Sequence, residues 1–177
     1  MRYLKVIAQD RTDSGQADAV LLNFYEQRDG AQDDVLLNQA IATARIAGGK
    51  LDCTVGDVNN NGRETSVDQR LLDIFANNYL KLKWLNQGHG VERYMKVSAR
   101  DLHADGSPDS VHLELHEGEG ASSGKTLVSW HAAFDTDNNG LLESIVYGDA
   151  DQNQHVDAAD RAVIQSLANV FLKFNWK

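Results

Sequence analysis

Apolar and polar residues alternate along Tyr3 to Gln9 and again along Tyr94 to Arg100, with enough β-branched content to favour strands. A polar turn follows each, then a second alternating run, Asp18 to Tyr25 or Ser110 to His116. That run puts Val20 and Leu22, or Val111, Leu113 and Leu115, on one face, so each pair reads as a hairpin. A third strand is expected over Leu127 to Phe134, with Val128, Trp130, Ala132 and Phe134 on one face, and over Leu36 to Ile46 as its counterpart. Short fourth strands are expected at Leu51 to Val55 and Ser144 to Tyr147. The period then changes to that of a helix. Val67, Leu71, Ile74, Phe75, Tyr79 and Leu82 share one face behind a cap at Thr65 or Ser66, and Val163, Ile164, Leu167, Val170, Phe171 and Phe174 do so behind Asp157.

The second set of elements repeats the first. At an offset of 91, eleven of the 25 positions from Arg2 to Glu26 are identical, Arg2, Tyr3, Lys5 and Val6 meeting Arg93, Tyr94, Lys96 and Val97. At an offset of 92, Gly56, Asp57, Asp68 and Trp84 meet Gly148, Asp149, Asp160 and Trp176. The fold class expected is α+β: two tandem copies of an antiparallel sheet unit, each with a polar loop leading into one helix. Residues 1–85 form the first repeat, 86–92 a linker and 93–177 the second repeat. Gly118 to Gly124 reads as a mobile loop, and Trp84 and Trp176 as packing residues.

Each expected helix is preceded by a loop with oxygen-bearing side chains at positions 1, 3, 5, 9 and 12. In loop 57–68 these are Asp57, Asn59, Asn61, Thr65 and Asp68, with Gly62 at position 6 and the carbonyl of Arg63 at position 7. In loop 149–160 they are Asp149, Asp151, Asn153, Asp157 and Asp160, with the carbonyl of His155, and Gln154 in place of the glycine. Position 6 wants a left-handed backbone, so Gln154 costs roughly 1 kcal/mol. The second loop has four carboxylates against two and is expected to bind more tightly. A shorter loop, 135–143, offers Asp135, Asp137, Asn139, the carbonyl of Leu141, and Glu143. Its closeness in sequence to Asp149 suggests two neighbouring ions. The hairpin turns Asp10 to Asp18 and Asp101 to Asp109 keep acids at positions 1 and 9, but tight turns use aspartate and glycine without any metal.

The segment from Gly56 to Phe75 resembles the half-hand repeat of type I dockerins, although Asp68 stands where the common EF-hand loop has Glu. The resemblance covers roughly residues 56–84 and 148–176. It implies two to three bound Ca²⁺ ions or more, and an extracellular or cell-surface setting in a bacterial protein. Function is read as a calcium-binding structural or interaction module in which the ion locks helix to sheet, with calcium and another protein module as partners. The alternatives are a dockerin that binds a cohesin module, and a calcium sensor. True dockerins, however, place their two half-hands close together in an all-helical unit.

The net charge of −9 argues against nucleic acid and anionic membranes, and each Ca²⁺ would offset two of those charges. No apolar run long enough for a signal peptide or membrane span is visible, so a secreted origin requires a leader that was removed or lies outside this sequence. Lone Cys53 is expected to be a core thiol. The row His112, Glu114, His116 could hold Zn²⁺ but reads better as a solvated strand face. No nucleophile elbow, phosphate loop or HExxH helix is present, and the chain is not read as an enzyme.

Overall fold

The computed structural model describes residues 1–28, 33–45, 49–86, 92–118 and 124–176. Most of the expected linker and of the Gly118 to Gly124 loop, and the expected end of the third strand at Ile46, lie outside the described residues. The strands are β1 (Arg2–Gln9), β2 (Ala19–Glu26), β3 (Val35–Thr43), β4 (Cys53–Val55), β5 (Leu85–Asn86), β6 (Arg93–Arg100), β7 (Ser110–Glu117), β8 (Leu127–Phe134) and β9 (Ser144–Val146). The helices are α1 (Ser66–Tyr79), extended by a 3-10 turn over Leu80–Leu82, and α2 (Ala158–Lys173). None is long and apolar enough to cross a membrane.

The expectation of two tandem sheet-plus-helix units is overturned. Among the described residues all nine strands belong to one sheet, ordered β4-β3-β2-β1-β6-β7-β8-β9 with the short β5 beside β1. The join is the antiparallel pairing of β1 with β6 through Leu4↔Val97, Lys5↔Lys96 and Val6↔Met95. Its physical reason is burial on both faces. Tyr3, Leu4, Val6 and Ile7 of β1 and Tyr94, Met95 and Val97 of β6 are all buried, and strands of that kind left as edges would expose apolar surface and unpaired backbone together.

The terminal tryptophans strengthen the join by crossing it. Trp84 donates its Nε1–H toward the carbonyls of Tyr94 and His116, both at 3.2 Å, and Trp176 reciprocates toward the carbonyl of Tyr3 at 3.2 Å. The rings of Phe174 and Trp176 meet Phe24 of β2 edge-on, at 6.0 and 5.2 Å. Lys5 and Lys96 stand opposite each other at the join, which is unfavourable for like charges. Their charges are taken up by Glu92, 2.9 Å from Lys5, and by the faces of Tyr94 and Tyr3, 4.3 Å from Lys5 and 4.6 Å from Lys96.

Both helices lie against the same sheet face. Leu4, Val6, Leu22, Phe24, Met95, Val97, Leu113 and Leu115 share one continuous core with Leu72, Phe75 and Tyr79 of α1 and Ile164, Leu167 and Phe171 of α2. The expected face of α2 is buried, whereas α1 is rotated. Leu72 and Ala76 face inward, and Val67 is 56 % exposed. Contact with α2 accompanies this rotation, Asn78 Nδ2 donating to Ser166 Oγ at 2.8 Å. Cys53 is exposed rather than a core thiol, because β4 is a three-residue edge strand.

Candidate metal centres

Five loops share one backbone. In each, the position 1 aspartate (Asp10, Asp57, Asp101, Asp135 or Asp149) accepts hydrogen bonds from the N–H groups of positions 5 and 6, at 2.5 to 3.3 Å. Position 4 is left-handed in all five, with φ between +55° and +58° at Asp13, Asn60, Ala104, Asn138 and Gln152. Position 6 follows with φ between +71° and +89°, at four glycines and Gln154. This turn aims successive side chains and carbonyls at one point, the arrangement that a large, oxygen-seeking cation needs.

What separates the loops is how their carboxylates are occupied. In the hairpin turns the position 9 acid already has a basic side chain from its own loop. Arg11 Nε lies 3.4 Å from Asp18, and His103 Nδ1 lies 2.6 Å from Asp109, whose hydrogen bond and charge raise the His103 pKa. The second turn also meets loop 135–143, Asn138 Nδ2 donating to Asp105 Oδ2 at 2.7 Å. In loop 149–160, by contrast, carboxylate oxygens of Asp149, Asp151 and Asp160 lie within 4.8 Å of one another, and in loop 135–143 so do those of Asp135, Asp137 and Glu143. Gathering three carboxylates is repulsive unless a cation offsets it, and a divalent ion reverses the sign. The donor set fits calcium, since acid and amide oxygens alternate with a position 7 carbonyl.

Loop 57–68 has the same turn with fewer charges. Asn59 Oδ1 accepts from Asn61 N–H at 3.2 Å and Asn61 Oδ1 from Arg63 N–H at 2.9 Å, so both amide oxygens are oriented by the loop itself. Thr65 caps α1, taking the N–H of Val67, and Asp157 caps α2, taking that of Ala159. Position 9 therefore serves the helix in both loops, and its contact with an ion would run through water.

Position 12 ties loop to helix. Asp160 is fully buried; its Oδ1 accepts the N–H groups of Ala150 and Asp151 at 2.8 and 3.1 Å, and its Oδ2 that of Asp157 at 2.8 Å. Asp68, also fully buried, takes the N–H of Asn59 and of Thr65, and the Thr65 hydroxyl. Burial alone would raise the pKa of each, but these hydrogen bonds outweigh it and hold both carboxyls below the usual carboxylate range. Ala150 and Val58, the position 2 residues, are fully buried in the core, so each loop is anchored to it. That anchoring is invisible in the ligand spacing.

Loops 135–143 and 149–160 lie before and after the three-residue β9, and their carboxylates form two separate groups. Loop 135–143 is tied to α2, Gln165 Nε2 donating to the carbonyl of Leu142 at 3.3 Å. The histidine row is not the solvated face expected: His116 is buried, with Nε2 3.3 Å from Glu114 Oε2. His116 stacks on Tyr94 at 5.0 Å with Nδ1 3.0 Å from Thr126 Oγ1, while His112 lies against Trp130 and Phe134.

Gln154 adopts the left-handed backbone at φ +71°. Gln154→Gly is expected to stabilise the protein by about 0.5–1 kcal/mol, the left-handed penalty less the greater freedom of glycine when unfolded. Urea unfolding in chelator measures it, and a loss of stability would show that the glutamine side chain has a role of its own. Compared with protein-family models, with curated proteins and with solved structures, the chain matches none.

Proposed function

We propose that the protein is a calcium-stabilised structural or interaction module, in which ions at loops 57–68, 135–143 and 149–160 lock α1 and α2 against the sheet. The observation that carries this reading is the group Asp149, Asp151 and Asp160 at the start of α2, its last member fully buried and bonded to both loop and cap. Asp57, Asn59, Asn61, the Arg63 carbonyl and Asp68 would hold the first ion. Asp135, Asp137, Asn139, the Leu141 carbonyl and Glu143 would hold another. Asp149, Asp151, Asn153, the His155 carbonyl and Asp160 would hold the tightest, with Thr65 and Asp157 acting through water. Calcium supplies charge and coordination rather than reaction chemistry, so its binding free energy becomes folding free energy. The dockerin likeness suggests an extracellular or cell-surface setting, where calcium on the order of millimolar fills even weak loops, and another protein module as partner.

Calorimetric calcium titration of the wild type and of Asp57→Ala, Asp135→Ala and Asp149→Ala tests the reading. Each substitution is expected to remove or weaken one site. Unchanged stoichiometry and affinity in all three would refute the assignments.

A further inference from the structure

We propose that loop 149–160 works across the duplication, as a clasp whose occupation by calcium steadies the end of α1 in the other half of the chain. This rests on the calcium reading above. The last carbonyls of a helix lack partners within it and need donors from outside. No basic residue lies in the last turn of α1, and Lys81 in the 3-10 turn that extends it donates to Asn78 Oδ1 at 2.8 Å. A donor comes instead from loop position 4, Gln152 Nε2 reaching the carbonyl of Leu82 at 3.3 Å. Beside it, Lys83 Nζ lies 3.8 Å from Asp151 Oδ2. Lys83 is itself left-handed, at φ +55°, and closes the 3-10 turn with its N–H on the carbonyl of Leu80. The next residue is Trp84, whose indole crosses to β6 and β7. Leu82, Lys83 and Trp84 thus chain the loop, the helix end and the inter-half tryptophan together.

Calcium acts on this chain because Gln152 stands between two ligand positions, Asp151 and Asn153. An ion that fixes both also fixes the left-handed turn at Gln152 that aims its amide at Leu82. Without the ion the three carboxylates repel, and the amide loses its station. The mate loop has Asn60 here, one methylene shorter. Among the described residues Asn60 makes no hydrogen bond to Phe174 or Asn175 at the end of α2. Phe174 is held instead by ring contacts to Phe24, Phe75 and Phe171. The coupling therefore runs from the second loop to the first helix.

Residue-resolved amide hydrogen exchange on the full chain, with calcium and with chelator, tests the proposal. In the wild type, calcium is expected to slow exchange at Lys83, Trp84 and Leu85 by about tenfold or more, because that helix end opens locally. Gln152→Ala should lose most of that gain while Asn153, Gln154 and His155 keep theirs, since the Gln152 side chain is no ligand. Gln152→Glu, which cannot donate, should bind calcium at least as tightly and still lose the protection at residues 83–85. The proposal is overturned if loop amides respond to calcium while residues 83–85 do not, or if both variants keep the wild-type response there. A loop whose own amides ignore calcium would overturn the calcium reading, and the clasp with it.

Discussion

Replacing Asp160 by alanine is expected to destabilise the protein by about 3 kcal/mol even in chelator, from the cost of leaving one buried and two part-buried N–H donors without their charged acceptor. The donors are those of Ala150, Asp151 and Asp157. They belong to different structures, two to the start of the loop and one to the residue that caps α2, so a single truncation loosens both. Asp160→Asn keeps the shape and one good acceptor oxygen, and should cost roughly 1–2 kcal/mol. Urea unfolding in chelator measures both, and calcium should widen the gap to wild type because the variants lose a ligand as well. An alanine variant within about 1 kcal/mol of wild type, less than one such donor's loss, would show that this carboxylate is not the joint between loop and helix.

Gly56→Ala is expected to cost about 3–5 kcal/mol, whereas Gly148→Ala at the mate position should cost under about 1 kcal/mol. Gly56 has φ +131°, which side chains rarely adopt, and an added Cβ would lie 2.6 Å from Ala40 Cβ, 2.8 Å from its Cα and 3.0 Å from the Gln39 carbonyl oxygen. Backbone cannot swing aside, so β3 or the loop must move. Nothing lies within 4 Å of the same atom at Gly148. The asymmetry has a cause in β8, where His131 occupies the place of Ala40. Its larger ring holds the strand–loop junction further off and takes the Gly148 N–H on Nδ1 at 3.3 Å. Because Gly56 immediately precedes Asp57, Gly56→Ala should also weaken calcium binding at loop 57–68 by tenfold or so, about 1.4 kcal/mol. Binding at loop 149–160 should stay unchanged. Equal costs at the two glycines would contradict the account of the close approach to Ala40.

Much of the local structure is legible in the chain. Period-two alternation locates β1, β2, β6, β7 and β8, and the switch of period after Thr65 and Asp157 locates both helices with their caps. The assembly is less so. A duplication implies two similar parts, but not whether their edges meet, and the cue that they do is the burial of β1 and β6 on both faces, from Tyr3 to Ala8 and from Tyr94 to Ser98. Reading these strands as one-sided hid it. Trp84 and Trp176 read correctly as packing residues, yet their crossing depends on geometry that spacing does not encode.

The candidate sites divide in the same way. Ligand spacing marks Asp57, Asp135 and Asp149 as loop starts, because the spacing is itself the turn. Three-dimensional neighbours decide the rest. Arg11 and His103 sit on the position 9 acids of the hairpin turns, and no spacing rule says that a side chain at loop position 2 or 3 will fold back on position 9. Gln152 looks like an unused loop position until Leu82, 70 residues earlier, is found beside it.

The central claim, that calcium holds the helices to the sheet, is tested most directly by thermal unfolding of the full chain in millimolar calcium and in excess chelator. An ion present at 100 times its dissociation constant stabilises by about 2.7 kcal/mol, and each kcal/mol moves the midpoint of a chain this size by about 2–4 °C. Three such sites predict a rise of roughly 15–30 °C in calcium, and Asp149→Ala should lose about a third of it. Identical midpoints in calcium and chelator would contradict the account.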